Sequence, residues 1–164
     1  MPFQTAVNLN FAPGVAGDFA DANPRASVLA GPGALVAGTG GIQAGRFAWV
    51  DATNSYALNT GSGLPAGFVH REWQGLITIY LAEAGNNIPQ GFEITLFSSG
   101  SFWAVNGTGA ATTMNQKVFA TLADGTVQFG AAGATIAGAI ETRWVVASIA
   151  AAGEFVKITT HVRG

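Results

Sequence analysis

The side chains that could carry catalysis are few and far apart in this 164-residue chain. His70 and His161 are the two histidines, cysteine is absent, and no G-x-S-x-G segment exists to activate a serine. The nine carboxylates are scattered singly, and the closest pair, Asp18 and Asp21, lies in a predicted loop. Two acids beside Arg25 are more typical of a solvated turn than of a catalytic dyad. The sequence therefore predicts no catalytic residue and no enzyme.

The patterns that hold metals and cofactors are also missing. Two histidines cannot complete a three-histidine site, and neither His-x-His nor an EF-hand pattern occurs. Gly31-Pro32-Gly33 and Gly38-Thr39-Gly40 begin like a nucleotide-binding loop, but Val36 and Gln43 stand where the third glycine belongs. We therefore expect no metal and no cofactor, and we assign these glycines to turns.

Charge and hydropathy patterning argue against two classes of partner. Seven lysines and arginines are scattered along a chain of net charge −2, so no basic stripe is available to neutralise nucleic-acid phosphates. The longest apolar stretches, 131–140 and 144–153, are shorter than the roughly 18 residues that a spanning helix needs. No basic residue precedes Arg25, so no secretory or transit signal is expected. The sequence predicts neither nucleic acid nor a membrane as a partner.

Short apolar runs separated by glycine and proline make up most of the chain. The 23 glycines and six prolines lie between runs rich in β-branched and aromatic residues, which is typical of strands. Charged residues are 10% of the chain against a usual share of about 25%, so the surface is unusually neutral. The predicted strands are 46–52, 67–73, 76–82, 92–98, 101–106, 117–123, 126–130, 143–149 and 155–162.

Local patterns in these runs favour one all-β domain. In 92–98, the alternating residues Phe92, Ile94 and Leu96 share one face. Asp124-Gly125 lies between two runs and predicts a hairpin with a type I′ turn. The alanine-rich segment 134–153 could form a helix, but its glycines and β-branched residues favour a strand. We expect a jelly-roll-like β-sandwich or barrel over residues 26–164.

Residues 1–25 are predicted to form an extended N-terminal arm, because three prolines favour extended backbone there. Phe3, Phe11 and Phe19 recur every eight residues along it, and leaving each in water would cost about 1.5 to 3 kcal/mol. These rings either fold back on their own domain or insert into a neighbouring protein. In the second case the arm could add a strand to a sheet edge of the partner.

Three arginines are the second set of candidate partner contacts. Arg25, Arg46 and Arg71 carry guanidinium groups, which pair bidentately with carboxylates at interfaces. The alternative for each is an ordinary surface or intramolecular ion pair. The four tryptophans lie in predicted strands and are expected in the core, whereas an open row of them would indicate sugar stacking. They are Trp49, Trp73, Trp103 and Trp144.

Several separate blocks of the sequence resemble one family. GDFADANPRASVLAGPGALVAG (17–38), GRFAWVD (45–51) and GFVHREWQGLITIYLAEAGNNIPQGFEITLFSSGSFWA (67–104) are similar to the structural cement, or head decoration, proteins of tailed bacteriophages. The resemblance implies a jelly-roll-like virion protein, made in the host cytoplasm, with no catalysis and no cofactor. It would bind the outer surface of the head and clamp adjacent subunits of the major capsid protein.

The capsid role suggests an oligomeric state, and the jelly-roll fold leaves one alternative function. Because binding sites on a capsid are symmetric, we expect a homodimer, with a trimer as the alternative. A carbohydrate-binding or adhesion module is the alternative function, since jelly rolls also host lectins.

Overall fold

The computed structural model describes residues 14–72 and 85–161 of the chain, and within these ranges it contains strands but no helix. No helix long and apolar enough to cross a membrane is therefore present in these two ranges. In chain order the strands are β1 (Ala26–Ser27), β2 (Val36–Ala37), β3 (Ile42–Gln43), β4 (Phe47–Val50), β5 (Tyr56–Leu58), β6 (Gly67–Val69), β7 (Asn87–Ile88), β8 (Leu96–Ser99), β9 (Ser101–Val105), β10 (Lys117–Thr121), β11 (Val127–Gly130), β12 (Ala139–Val146) and β13 (Phe155–Thr159).

The strands form two large sheets and one small pair. The six-stranded sheet has the order β1-β8-β6-β4-β5-β2, and the five-stranded sheet has the order β11-β10-β12-β13-β9. Strands β3 and β7 pair separately. Neighbours run antiparallel except β2 and β5, which are parallel. The first eight strands thus supply the six-stranded sheet and the small pair, and the last five supply the other sheet.

The two large sheets pack against each other on an aromatic core. Phe47 and Phe68 come from the six-stranded sheet, and Phe102 and Trp144 come from the five-stranded sheet. The Phe68 ring centroid lies 5.2 Å from that of Phe47 and 5.5 Å from that of Phe102. Edge and tilted pairs of this kind contribute about 0.5 to 1.5 kcal/mol each beyond their buried area. The predicted all-β sandwich is confirmed.

The opposite face of the six-stranded sheet is also buried. Ala48, Val69 and Leu96 point away from the aromatic core and pack with Ile42 and Ile88 of the β3–β7 pair. A strand covered on both faces has no polar side to alternate with its apolar side. This explains why the strands of this sheet appear in the sequence as continuous apolar runs.

Most predicted strands of the second half of the chain are confirmed. Strand β12 begins at Ala139, earlier than predicted, and replaces the helical alternative for this segment. The run 92–98 is a strand only from Leu96, and Phe92 is exposed rather than buried beside Ile94. The run 76–82 lies outside the described residues. The predicted runs that contain observed strands here are 101–106, 117–123, 126–130, 143–149 and 155–162.

The hairpin between β10 and β11 is confirmed, but its predicted turn type is wrong. Lys117 pairs with Gly130, and the Thr121 N–H donates to the Thr126 carbonyl at 2.9 Å, which leaves residues 122–125 as the loop. Gly125 has a φ of 69°, whereas Asp124 does not have the positive φ that a type I′ turn needs. The longer loop is held by the Asp124 carboxylate, which accepts from the Thr126 N–H at 3.1 Å and its hydroxyl at 2.7 Å.

The described part of the predicted arm lies against the domain. Residues 1–13 are outside the described residues, but residues 17–20 continue the five-stranded sheet beyond β9. Phe19 forms an antiparallel bridge with Phe102, and the Ala20 N–H donates to the Ser101 carbonyl at 3.0 Å. An arm over residues 1–13, and a domain boundary at residue 25, stay predictions.

Candidate interaction surface

Phe19 packs at one side of the aromatic core, between residues of both sheets. Its ring stacks on the His70 imidazole with centroids 4.1 Å apart, and it lies 5.4 Å from Phe97 and 5.2 Å from Phe102. The guanidinium carbon of Arg25 is 3.8 Å from the Phe19 centroid. Because the imidazole covers one face of the ring, the guanidinium covers the other. Phe19 therefore folds onto its own domain, and its contact with a partner stays a prediction.

The backbone of Gly17 ties the two sheets together beside this ring. Its N–H donates to the Trp103 carbonyl of β9 at 2.8 Å. Its carbonyl accepts from the Arg71 N–H at 3.0 Å and lies 2.8 Å from His70 Nδ1. Since a carbonyl oxygen can only accept, His70 Nδ1 carries a proton. The segment that begins at Gly17 is thus part of the sandwich on this side.

Arg46 and Arg71 face carboxylates of their own domain. Arg46 Nη1 lies 3.5 Å from Asp124 Oδ2 and donates to the Asp124 carbonyl at 3.3 Å. Arg71 Nη1 lies 3.9 Å from Asp18 Oδ1, and its Nε donates to Asn86 Oδ1 at 3.3 Å. Partly exposed pairs of this kind contribute about 0 to 1 kcal/mol each. These are the intramolecular ion pairs foreseen as the alternative, and a partner contact for either arginine stays a prediction.

Arg25 and Arg143 have no carboxylate partner within residues 14–72 and 85–161. Arg25 directly precedes β1, and Arg143 of β12 donates from its guanidinium to the Ser98 carbonyl of β8. Sequence reasoning had missed Arg143. The signal available for it was its position between two buried residues of a strand, Thr142 and Trp144, which turns its side chain outward.

A cavity of about 280 Å³ opens between the sheets beside Arg143. Phe47 and Trp144 form part of its apolar wall, and Ser98 and Leu64 also line it. Leu64 is 68% exposed, so its side chain contributes apolar surface to solvent. A cavity of about 150 Å³ holds a benzene molecule, and this one is therefore large enough for an apolar side chain.

Two of the three tryptophans that the structure describes lie in the core, as predicted. Trp49 and Trp144 belong to the aromatic core, whereas Trp73 is outside the described residues. The Trp103 side chain points outward from β9 instead. The Lys157 ammonium lies 5.0 Å from its ring centroid, and a Cβ added at Gly14 would lie 2.5 Å from Trp103 Cδ1. The lysine and the Gly14 backbone thus cover part of this ring.

The loop after β4 is held by one carboxylate. Asp51 accepts from the Thr53 hydroxyl and from the backbone N–H groups of Thr53, Ser55 and Tyr56 at 3.0, 2.7 and 2.9 Å. The Thr53 hydroxyl, followed by the Tyr56 N–H, holds the pKa of Asp51 well below its usual range. The donors belong to the loop and to Tyr56, the first residue of β5, so this carboxylate stabilises the turn between β4 and β5.

The Asn-Gly-Thr segment after β9 also has a structural role. Asn106 is buried, and its Nδ2 donates to the carbonyls of Ala110 and Ala151 at 2.9 and 3.0 Å. Its Oδ1 accepts from the Thr108 N–H at 2.9 Å. This amide joins two loops and is not exposed for modification.

His161 and Asp21, two of the candidates for catalysis or metal binding, make structural contacts instead. No group of three His, Asp or Glu side chains is placed to hold a metal within the two described ranges. His161 Nε2 lies 2.7 Å from the Pro24 carbonyl, and Asp21 accepts from the Asn23 N–H at 2.9 Å. The candidate surface is therefore the one around Arg25, Arg143 and the adjoining cavity, whose groups are suited to binding another chain.

Comparisons with known proteins agree on one kind of relative. A family model described as XM1 gp53 minor capsid protein matches residues 3–160. A chain in a solved structure of the capsid of Myoviridae phage XM1 is 21% identical, with a TM-score of 0.62 and 98% of each chain covered. At this identity the structural likeness shows a shared fold. No curated protein sequence matches the chain.

Proposed function

The chain belongs to the XM1 gp53 minor capsid protein family, and from this premise we propose that it is a capsid cement protein of a bacteriophage head. It is a virion structural protein. In the proposed role it binds the outer surface of the head and clamps adjacent subunits of the major capsid protein, without catalysis. The observation that carries the proposal is the family match, which spans residues 3–160 and so includes both sheets.

The composition supports a protein that works while packed against neighbours. Charged residues are 10% of the chain, and large apolar side chains such as Leu29, Leu64 and Ile149 are exposed. Depletion of charged residues is typical of the buried centre of interfaces. A clamp adds an association free energy that capsid subunits must overcome to separate. Because the contact is repeated around a closed shell, each copy can bind modestly and the lattice still gains resistance.

The N-terminal segment supplies the first proposed contact. Phe3 and Phe11 lie outside the described residues. Gly14, the first described residue, packs against the Trp103 ring. We assign to this segment the addition of a strand to a sheet edge of the capsid protein, with its phenylalanines in pockets of the partner. Phe19 anchors the segment to the domain through its contacts with the aromatic core.

Among the arginines, Arg25 is the preferred contact, because Arg46 and Arg71 already have carboxylate neighbours. The proposed oligomer is a homodimer, with a trimer as the alternative, since closed symmetric assemblies fit symmetric capsid sites. Light scattering on the purified protein distinguishes the two states.

The test is co-sedimentation of the purified protein with expanded heads that lack it. Saturable binding that raises the resistance of the heads to heat or osmotic shock is the expected result. Heads already saturated with the protein are the control, and they should take up no more. Absence of binding to cognate heads would overturn the proposal. Saturable binding without added resistance would reduce the function to decoration.

The carbohydrate-binding alternative has no supporting observation in the described residues. A sugar platform needs open aromatic rings, but Trp49 and Trp144 are buried and Trp103 is partly covered by Lys157. The described tryptophans therefore do not form such a platform.

A further inference from the structure

We infer that Arg25, the exposed edge of β1, Arg143 and the adjoining cavity form one docking groove for an extended acidic segment of the major capsid protein. In this groove, carboxylates of the segment pair with the two guanidinium groups, and a neighbouring apolar side chain enters the cavity. The inference deepens the proposed function, on which it rests for the identity of the partner. It is independent of the N-terminal segment.

The first support is that two cations flank the same pair of strands. Arg25 directly precedes β1, and its Cβ lies 3.2 Å from where a Cβ on Gly100 would be, at the end of β8. Arg143 reaches β8 from the other sheet and donates to the Ser98 carbonyl. Neither guanidinium faces a carboxylate within residues 14–72 and 85–161. The local charge is thus complementary to an acidic chain.

Both guanidinium groups keep donors for a partner. A guanidinium carries five N–H donors in a planar fork, and the Ser98 carbonyl takes up only part of the fork of Arg143. The guanidinium carbon of Arg25 lies 3.8 Å from the Phe19 ring centroid, and the group faces no carboxylate within the described residues. A carboxylate in the plane of the group can therefore be bound bidentately.

The second support is the open edge of β1, which directly follows Arg25. Strand β1 pairs with β8 on one side, and no strand among the described residues pairs with its other side. Ala26 and Ser27 are exposed. An added strand would pair with this two-residue edge next to Arg25.

The third support is the cavity, which shares residues with this edge. Ser98 and Arg143 line the cavity, and the Ser98 hydroxyl also donates to the Ala26 carbonyl at 3.2 Å. Leu64, Pro65 and Ala66 provide accessible apolar surface at this opening, whereas Phe47 and Trp144 are buried at its base. Side chains two positions apart on an extended segment share a face, so an apolar side chain two positions from a carboxylate would meet this opening.

The experiment compares head binding by the wild type, the Arg25→Gln/Arg143→Gln double variant and an Arg46→Gln control. Glutamine keeps most of each side-chain stem, and Arg46 loses the same charge at a site already paired with Asp124. We expect the double variant to melt like the wild type and to bind expanded heads about tenfold more weakly, or worse. The control should bind within about twofold of the wild type. Equal binding by the wild type and the double variant would overturn the inference.

A second measurement separates this inference from the proposed function. A short capped peptide in which Glu and Leu are separated by Ser, so that both share one face when extended, is titrated into isotopically labelled protein, and a peptide with Lys in place of Glu is the control. NMR shifts confined to the groove, and lost in the double variant, support the site even if the wild type does not bind heads. Shifts elsewhere, or equal shifts with the Lys peptide, overturn the groove. Failure of the wild type to bind heads would overturn the proposed function instead.

Discussion

The Phe19 ring lies between the His70 imidazole and the Arg25 guanidinium, and it closes one side of the aromatic core. A single residue near the start of the described chain therefore contacts both sheets and one of the proposed docking arginines. Its packing makes the position of Arg25 depend on the integrity of the fold. If Arg25 binds the capsid protein as proposed, stability and partner binding are coupled at this residue.

We predict that Phe19→Ala lowers the free energy of unfolding by about 2 to 3 kcal/mol, because it removes a partly buried ring with three aromatic neighbours. Urea unfolding measures the change. Phe92→Ala is the matched control, since the Phe92 side chain is 42% exposed, and it should cost less than about 1 kcal/mol. Equal losses in the two variants would contradict the assigned role of Phe19.

Asp51 gives the protein a specific dependence on acid. Its pKa in the folded protein is held below the unfolded value of about 3.9. Its carboxylate therefore stabilises the fold above this value, and the contribution is lost as the pH falls from about 4 toward the lower folded pKa. We predict that Asp51→Asn destabilises the protein at pH 7 and that the difference from the wild type shrinks in acid.

Unfolding curves at neutral and acidic pH measure this difference. Asp21→Asn is the control, because it removes one charge from a loop carboxylate whose hydrogen bonds within residues 14–72 and 85–161 come from Asn23. A difference between Asp51→Asn and wild type that stays constant across the pH range would contradict the prediction.

At the scale of elements, the β10–β11 hairpin joins the two sheets as well as its own strands. The Gly125 carbonyl accepts from the Phe47 N–H of β4 at 2.8 Å. A Cβ added at Gly125 would lie 2.1 Å from the Phe47 carbonyl oxygen, and its φ is 69°. The turn therefore requires glycine both for its conformation and for its approach to β4.

We predict that Gly125→Ala lowers the free energy of unfolding by about 2 to 4 kcal/mol, because a backbone clash adds to the left-handed penalty. Gly133→Ala measures the left-handed backbone penalty without a clash. Gly133 has a φ of 74°, but the space around its Cβ position is open. This substitution should cost about 1 kcal/mol. Denaturant unfolding of both variants is the measurement, and equal costs would show that the contact with β4 is unimportant.

Whether a strand could be predicted from the sequence depended on its length and on how many of its faces are buried. In β13, buried Val156 and Ile158 alternate with the partly exposed Lys157, and this strand was predicted from the sequence. Strands β2, β3 and β7 have two residues each, which is too short for any period to be visible. Their pairing is decided by the second core around Ile42 and Ile88, which assembles residues far apart in sequence.

At the scale of the whole molecule, the N-terminal region divides at residues 14–17. Backbone pairing with β9 begins at Gly17, and Phe19 enters the core soon after. The proposed contact with the capsid protein is assigned to the residues before this point. The two parts can be separated by truncation.

We predict that deletion of residues 2–13 changes the free energy of unfolding by less than about 1 kcal/mol and greatly weakens head binding. Deletion of residues 2–20 should instead cost at least about 3 kcal/mol, because it removes Phe19 and the hydrogen bonds of Gly17 and Ala20 to β9. Unfolding and co-sedimentation of both truncated proteins are the measurements. Wild-type head binding by the shorter deletion would eliminate the N-terminal contact.

The sequence by itself determined the all-β class, the neutral surface and most strands of the five-stranded sheet. Composition, alternation and turn residues are local properties, and each can be read without knowing what lies across the sheet. The same local information supported the choice of Arg25 as a contact. The phage resemblance, carried by blocks such as 17–38 and 67–104, agrees with the family that the chain belongs to.

Only the tertiary structure decided which face of each strand is buried and which charged groups are paired. Arg46 and Asp124 are far apart in the chain but 3.5 Å apart in the fold, and Arg143 approaches β8 only because the two sheets pack together. These neighbours are set by sheet order and packing, which are long-range properties. A local sequence pattern therefore identified candidate side chains, while the fold decided which of them remain available to a partner.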